Sequence, residues 1–129
     1  MAKLIQIKDG VAGLKILLNQ VQTRIGRDEE NEISLDDVLV SKLHAIIEIV
    51  FNEKTQGEYD YVLQDKDSTN HTYVNDQQVN LHRLQHGDMI RIGANNFKFD
   101  DSEPLKPDET AKLHKTWIPG VYVTKNKKK

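Results

Sequence analysis

The segment from Asp65 to Asn75 carries the highest local concentration of side chains suited to polar chemistry. Serine, threonine and asparagine occupy positions 68 to 70, and a second asparagine stands at position 75. These residue types favour turns, and the segments on both sides have the composition of β-strands. A loop of this kind holds hydroxyl and amide groups in fixed positions above a rigid sheet. The composition therefore predicts a loop that presents polar side chains at one end of a sheet.

A serine and a histidine, Ser41 and His44, suggest hydrolase chemistry, because a nucleophile and a base would be neighbours. If this segment is a strand, however, residues three apart point to opposite faces and the two side chains diverge. The Gly-x-Ser-x-Gly sequence that presents the nucleophile of many hydrolases is also absent. We therefore expect no catalytic residue and no enzymatic activity.

A metal site is equally poorly supported. His82 and His86 are four apart, but that spacing places two side chains on one face only in a helix, and Gly87-Asp88 directly after them favours a β-turn. No third ligand has an evident position, and the chain contains no cysteine. We expect neither a metal nor a cofactor.

The elements that position these residues are short strands. Apolar or alternating segments follow one another, separated by Gly, Asn and Asp, and no convincing amphipathic helix precedes residue 100. The predicted strands cover residues 4–7, 14–18, 21–25, 33–35, 44–51, 59–63, 72–74, 79, 89–92 and 96–99. This pattern predicts an all-β sandwich of two antiparallel or mixed sheets with about 10 to 11 strands, whose loops lie at its two ends.

Length and charge set further bounds. The 129 residues suit one domain, and the net charge of −2 gives the whole molecule no attraction for nucleic acid. The absence of cysteine, of a signal-like start and of a long apolar run leads us to expect a cytoplasmic protein that does not enter a membrane.

The amino-acid composition changes at residue 100. We predict a domain over residues 1–99 and a C-terminal extension over 100–129, partly ordered or docked through apolar residues such as Trp117 and Val121.

Four motifs, taken in order and spacing, resemble those of the forkhead-associated (FHA) family. They are Ile-Gly-Arg at residues 25–27, the segment 41–45 that begins Ser-Lys-Leu-His, the loop 65–75, and residues 87–93. Each motif is weak alone, whereas together they are specific, and the resemblance covers residues 1–99 in outline. It implies an FHA-like β-sandwich that binds phosphothreonine peptides and catalyses nothing.

The resemblance also assigns roles to residues. It implies that Arg27, Ser41, Lys42 and Thr69 contact the phosphate or lie beside it, and that Asn70 contacts the backbone of an extended phosphopeptide. Such a ligand brings about −1.5 to −2 charges and three acceptor oxygens, which these cationic and hydroxyl side chains match. The remaining motif residues would support the site rather than touch the ligand: Gly26, which would permit a tight turn that aims Arg27, together with His44, Ser68 and Asn75.

Two residues depart from the family pattern. Lys42 stands where arginine is usual, and lysine keeps the charge but loses the planar fork of donors. His71 stands where glycine is common, so it must either tolerate an unusual backbone angle or adopt another turn. The His71 ring would then be a bystander on the rim of the site or an additional pH-dependent donor to phosphate.

The partner predicted from this resemblance is a protein carrying a phosphothreonine. Two alternatives remain open. The domain could be a phosphate-independent scaffold or assembly module that binds through a sheet face or the C-terminal tail. Self-association through phosphorylated threonines of the tail, such as Thr110 or Thr116, is a weaker possibility than an external ligand.

Overall fold

The computed structural model describes residues 2–52 and 58–102. Within these residues the chain forms eleven β-strands and no helix. The strands are β1 (Lys3–Lys8), β2 (Val11–Leu17), β3 (Gln22–Gly26), β4 (Ile33–Ser34), β5 (Ala45–Asn52), β6 (Glu58–Asp65), β7 (Thr72–Val74), β8 (Gln77–Val79), β9 (Leu81–Arg83), β10 (Met89–Ile92) and β11 (Asn95–Asp100). No helix in this described part is long and apolar enough to cross a membrane.

The strands form two sheets. One has six strands in the order β2-β1-β11-β10-β7-β8, and the other has five in the order β4-β3-β5-β6-β9. Every pairing for which a register is given is antiparallel except that of β3 with β4, which is parallel. The predicted all-β sandwich of antiparallel or mixed sheets is therefore confirmed.

The core lies between the two sheets, because alternate side chains of strands such as β3, β10 and β11 point inward. Phe97, Phe99 and Ile90 from the six-stranded sheet are at most 1% exposed, as are Ile47 and Leu63 from the five-stranded sheet. Burial of aromatic and branched side chains of this size contributes roughly 1.5–3 kcal/mol each. This core makes the sandwich a rigid base for the loops at its ends.

Tight turns at strand ends follow directly from the local sequence. Asp9 and Gly10 connect β1 to β2 with φ of 54° and 77°, and Asn75 and Asp76 connect β7 to β8 with φ of 51° and 66°. Two successive positive φ values are typical of the type I′ turn, whose twist matches that of the paired strands. Gly, Asn and Asp adopt this conformation at the least cost.

The predicted domain boundary lies close to the end of β11 at Asp100. The extension predicted for residues 100–129, including Trp117, Val121 and the tail threonines, lies beyond Ser102 and so outside the described residues for nearly all of its length.

Candidate functional site

Three loops emerge at the same end of the sandwich because of the register of the five-stranded sheet. Ile25 near the end of β3 pairs with Ala45 at the start of β5, and Ala45 pairs with Asp65 at the end of β6. The loops that follow β3, precede β5 and follow β6 therefore meet at one end. They cover residues 27–32, 35–44 and 66–71.

An open cleft of about 350 Å³ lies between these loops. Its lining contains all five residues predicted to contact a phosphopeptide, together with three apolar neighbours: Arg27, Val38, Leu39, Val40, Ser41, Lys42, Thr69 and Asn70. The fold thus brings Arg27 and Asn70, which are far apart in sequence, into the same cleft. The binding roles of these residues stay predictions, whereas their convergence is a structural finding.

Arg27 is held at its inner nitrogen. Its Nε donates a hydrogen bond to the carbonyl oxygen of Val40 over 3.0 Å, and its backbone N–H donates to the carbonyl of Ser41 over 2.9 Å. Its two terminal nitrogens make no hydrogen bond or ion pair within residues 2–52 and 58–102. The guanidinium is therefore oriented by one donor and keeps its paired Nη donors available, as bidentate binding of an oxyanion requires.

The Ser41 hydroxyl is positioned by the next loop. The backbone N–H of Thr69 donates to Ser41 Oγ over 3.1 Å. Because the oxygen acts as acceptor in this bond, the hydroxyl hydrogen remains able to donate to a ligand in the cleft. The contact also connects the loop after β6 to the loop before β5.

Asn70 and Lys42 also line the cleft. Asn70 Nδ2 donates to the carbonyl of Leu39 over 2.9 Å, which orients the amide. The Lys42 carbonyl accepts from Asn31 Nδ2 over 2.7 Å and from the Asp28 N–H over 3.2 Å, so the backbone of Lys42 is fixed while its ammonium is exposed. The cleft thus holds two cations, two hydroxyl side chains and an amide.

His44 lies beneath the loops with 0% exposure and uses both ring nitrogens. The backbone N–H of Ser41 donates to Nδ1 over 3.1 Å, and Nε2 lies 2.8 Å from the carbonyl oxygen of His71. The first contact makes Nδ1 an acceptor, so Nε2 must carry the proton that it donates to His71. The ring therefore holds two of the three loops together.

The expectation that Ser41 and His44 lie in a strand and point to its opposite faces was wrong. Residues 41–44 form a loop, and β5 begins only at Ala45, so strand alternation does not apply to this pair. The two residues are joined through the Ser41 backbone, while the Ser41 hydroxyl faces the Thr69 N–H. Neither nitrogen of His44 is available to remove a proton from that hydroxyl.

Gly26 supports the site for a reason other than the predicted tight turn. It ends β3 in an extended strand, and a Cβ at this position would lie 2.1 Å from the Lys42 carbonyl oxygen and 2.7 Å from Asn31 Nδ2. Glycine is required because the segment at Lys42 approaches the strand directly. The expected tight turn at Gly26 is not found, because Gly26 is the last residue of β3 and its φ is not positive.

Ser68 is buried and fixes the shape of the loop after β6. Its Oγ and its backbone N–H both donate to the carboxylate of Asp65, and Thr72 Oγ1 donates to the same carboxylate over 2.7 Å. Burial raises the pKa of Asp65, but the hydrogen bonds from Ser68 and Thr72 outweigh burial and hold this pKa below its ordinary value. One carboxylate thus closes the loop that carries Thr69 and Asn70.

His71 ends the loop after β6, whereas Asn75 lies in the turn between β7 and β8, outside that loop and outside the lining of the cleft. His71 adopts φ of 68°, so it tolerates the left-handed backbone angle rather than changing the turn. Its exposed ring has Nδ1 3.4 Å from Gln78 Nε2 and is not among the side chains that line the cleft. Asn75 Oδ1 accepts from the Met89 N–H over 3.0 Å, and Asn75 Nδ2 donates to Asp88.

Three supporting residues had not been predicted. Asp65, Asn31 and Asp37 each connect a site loop to a neighbouring segment through a side-chain hydrogen bond. The Asp65-x-x-Ser68 spacing could have revealed the first, because an aspartate commonly accepts from backbone and side chain a few residues later. The other two act across loops, and no local pattern points to them.

The FHA domain family model matches residues 23–93, more than half of the chain. The chain therefore belongs to the FHA domain family, and the resemblance drawn from the motifs is confirmed.

The chain is 44% identical over 82 residues to the oxoglutarate dehydrogenase inhibitor of Corynebacterium glutamicum, covering 64% of this chain and 52% of that protein. It is 39% identical over 82 residues to the glycogen accumulation regulator GarA of Mycobacterium tuberculosis, covering 64% of this chain and 46% of GarA. The chain spans about half the length of the curated relatives that it matches. The names of these relatives describe regulatory proteins rather than enzymes.

Solved structures agree. An FHA domain from a study of phosphothreonine-dependent FHA interactions matches with a TM-score of 0.65 and 30% identity, covering 81% of this chain and 100% of that chain. The FhaA FHA domain, crystallised in complex with the intracellular domain of another protein, matches with a TM-score of 0.64 and 29% identity, covering 77% of this chain and 99% of that chain.

Proposed function

We propose that this chain is a phosphothreonine-dependent interaction module that binds an extended segment of another protein in the cleft. The observation that carries the proposal is that Arg27, Ser41, Lys42, Thr69 and Asn70 all line this one cleft. Membership of the FHA family supports it, as does the phosphothreonine dependence named for a structural neighbour of 30% identity.

The contacts support a separate role in ligand binding for each residue of the cleft. The free terminal nitrogens of Arg27 and the ammonium of Lys42 supply positive charge, and the Ser41 hydroxyl supplies a donor already oriented by Thr69. Charge-assisted hydrogen bonds from preorganised donors are stronger than neutral ones, and little entropy is lost when the donors are already held. The amide of Asn70, anchored at Leu39, keeps Oδ1 available to the backbone of the ligand.

The same geometry supports a function without catalysis. A serine nucleophile needs a base within hydrogen-bond reach, and the candidate base His44 has both ring nitrogens engaged in holding loops. We propose that the chain acts by occupying a phosphorylated partner, in keeping with the regulatory names of its relatives.

We further propose that the partner is a phosphorylated protein, and that the chain binds neither nucleic acid nor a membrane. We also propose that it acts in the cytoplasm. The net charge of −2 and the absence of cysteine support these statements. Self-association through a phosphorylated tail remains the weaker alternative to an external partner.

A phosphate-independent docking role is the second candidate, and one observation favours it. The edge strand β2 exposes three large apolar side chains, with Val11 67%, Leu14 64% and Leu17 58% exposed. An exposed edge of this length can add a strand from a partner. Binding at that edge would not require phosphate.

The two candidates are separated by calorimetric titration with matched peptides that differ only in phosphorylation of one threonine. Selection from a degenerate phosphothreonine library supplies the sequence. We expect the phosphorylated peptide to bind at least about 30-fold more tightly, because two charge-assisted contacts would be lost without phosphate. Equal affinities for the two forms would overturn the proposal and favour the edge strand instead.

A further inference from the structure

The edge strand β2 carries apolar side chains that face the core side of the six-stranded sheet and yet stay exposed. Buried Leu4 pairs with Ile16, so Ile16 faces the core, and Leu14, two residues earlier in β2, lies on the same side. Ile16 packs against the core, whereas Leu14 is 64% exposed. The five-stranded sheet therefore leaves part of the inner side of β2 uncovered.

A β-bulge brings a third apolar residue to this side. The register of β1 and β2 shifts between Ile5 and Ile7, where β2 contains one extra residue. Beyond the bulge, Val11 pairs with Lys8, which alternation along β1 places on the core side. Val11 is 67% exposed. The inner side of β2 thus carries a partly uncovered apolar strip, called the β2 strip below: Val11, Leu14 and Ile16.

The same strand has an open hydrogen-bonding edge. Within residues 2–52 and 58–102, β2 pairs with β1 alone and stands last in the order of the six-stranded sheet. Its outer row of backbone N–H and C=O groups is therefore open to another strand. A strand added at this edge would place alternate side chains beside the β2 strip. One segment can thus satisfy the backbone groups and cover the apolar side chains at once.

The C-terminal extension contains a segment whose composition suits this place. Residues 121–124 are Val-Tyr-Val-Thr, which are residue types that favour strands, and the apolar Trp117 and Ile118 come shortly before them. Lysines dominate the residues that follow, from 125 to 129. The extension from residue 103 onward lies outside the described part of the chain. Its one strand-like segment matches the strand that the open edge of β2 can accept.

The extension starts within reach of that edge. Asp100 at the end of β11 pairs with Lys3, and Lys3 pairs with Leu17 at the end of β2. A strand added beside β2 would lie three strand spacings from β11, about 15 Å. Residues 103–116 span up to roughly 50 Å when extended, so the connection is long enough. A segment tethered at this range has an effective concentration on the order of 1 mM, which favours it over a second molecule.

We propose that residues 121–124 add a strand to the open edge of β2, and that the apolar side chains of residues 117–123 cover the β2 strip. The extension then protects the edge from association with strands of other molecules. It leaves the cleft at the end of the sandwich open. This inference does not depend on phosphopeptide binding.

Trp117 is the single tryptophan of the chain, so tryptophan fluorescence reports on the extension alone. Emission wavelength and acrylamide quenching are measured on the full chain without any ligand. A synthetic peptide of residues 103–129 supplies the solvent-exposed reference. Leu14→Gln removes an apolar side chain from the β2 strip without adding charge. Its matched control is Leu81→Gln, at a leucine 68% exposed on β9, the edge strand of the other sheet. Val121→Gln alters the extension and leaves the β2 strip intact.

We expect Trp117 of the wild type and of Leu81→Gln to emit at shorter wavelength, and to be quenched less, than Trp117 of the peptide. Leu14→Gln and Val121→Gln should each lower the ratio of docked to free extension about tenfold, which corresponds to the loss of roughly 50–60 Å² of apolar contact. Both variants should therefore shift fluorescence toward that of the peptide.

Wild-type fluorescence equal to that of the peptide overturns the inference. Equal quenching in the wild type and Leu14→Gln also overturns it, as does equal exposure of Trp117 by Leu14→Gln and Leu81→Gln, because the extension would then dock elsewhere. Light scattering distinguishes one chain from two. Protection of Trp117 that is lost on dilution together with a dimeric mass would assign the edge to a second copy, and would likewise overturn the inference.

Discussion

The backbone N–H of Thr69 donates to the hydroxyl oxygen of Ser41 over 3.1 Å, although the two residues are 28 positions apart. The bond joins two loops that adjoin different strands, and because Ser41 Oγ is the acceptor, its hydroxyl hydrogen stays able to donate to a ligand in the cleft. One side chain thus has two roles, since it fixes the loop of Thr69 and offers a donor to a ligand.

Replacement of Ser41 by alanine should therefore weaken phosphopeptide binding far more than it weakens the fold. Loss of a hydrogen bond to a charged group costs about 1.5–3 kcal/mol, whereas an exposed amide left to water costs about 1 kcal/mol or less. Calorimetry with a selected phosphopeptide and urea unfolding measure the two effects. Ser102→Ala, an exposed site after β11 outside the lining of the cleft, is the control. Similar losses of affinity in the two variants would rule out the assignment of Ser41.

Arg27→Ala should reduce phosphopeptide affinity by roughly 2 kcal/mol or more, because charge-assisted contacts are worth about 1.5–3 kcal/mol. The matched control is Arg83→Ala, which removes the same charge from a side chain that is 56% exposed on β9. Titrations at two salt concentrations separate a direct contact from long-range attraction, which salt screens. If Arg83→Ala weakens binding as much as Arg27→Ala, the role of Arg27 is only its contribution to net charge.

Gly26→Ala should lower the free energy of unfolding by about 1–3 kcal/mol, since the new methyl group would lie 2.1 Å from the Lys42 carbonyl oxygen. Relief of this contact must move the segment that carries Ser41 and Lys42, so affinity should fall as well. Gly13→Ala is the control, because a Cβ there would meet only Gln6 O at an ordinary 3.5 Å. Chemical denaturation of both variants measures the difference. A Gly26→Ala protein as stable as Gly13→Ala would contradict the close approach.

Much of the fold could be predicted from sequence, because the local pattern of apolar and turn-forming residues agrees with the observed strands. The strands Thr72–Val74 and Met89–Ile92 have the predicted bounds. The strand β9 was missed. Leu81–Arg83 has no alternating pattern, and it becomes a strand only through pairing of His82 with Leu63.

Part of the candidate site could also be predicted from sequence, but for a different reason from the fold. Its candidate ligand contacts lie in short motifs whose order can be recognised, so Arg27 and Asn70 could be named before the fold was known. The hydrogen bonds between loops that hold the site in place could not be predicted from sequence. The bond from Asn31 to the Lys42 carbonyl, for example, spans 11 positions and depends on how two loops pack. Sequence patterns report periodicity within an element, and they carry no direct information on hydrogen bonds between loops.

The lowered pKa of Asp65 predicts that the order of the loop after β6 depends on pH. Its pKa lies below the ordinary value because hydrogen bonds from Ser68 and Thr72 outweigh the opposing effect of burial. A carboxyl whose folded pKa is lower than its unfolded pKa stabilises the fold above the unfolded value of about 3.9. That stabilisation is lost as pH falls below about 4 and through the folded pKa. Acidification should thus release the loop of Thr69 and Asn70.

Asp65→Asn provides the test, because an amide keeps the shape of the carboxyl but cannot accept all three hydrogen bonds. We expect the variant to lose about 1–3 kcal/mol of unfolding free energy at pH 7, and the gap from the wild type to narrow steadily below about pH 4. Other carboxyls with lowered pKa, such as Asp88, are present in both proteins, so the difference between the two isolates Asp65. Urea unfolding from pH 7 to about pH 3 measures that difference. A gap that stays constant over this range would show that the charge of Asp65 does not hold the loop.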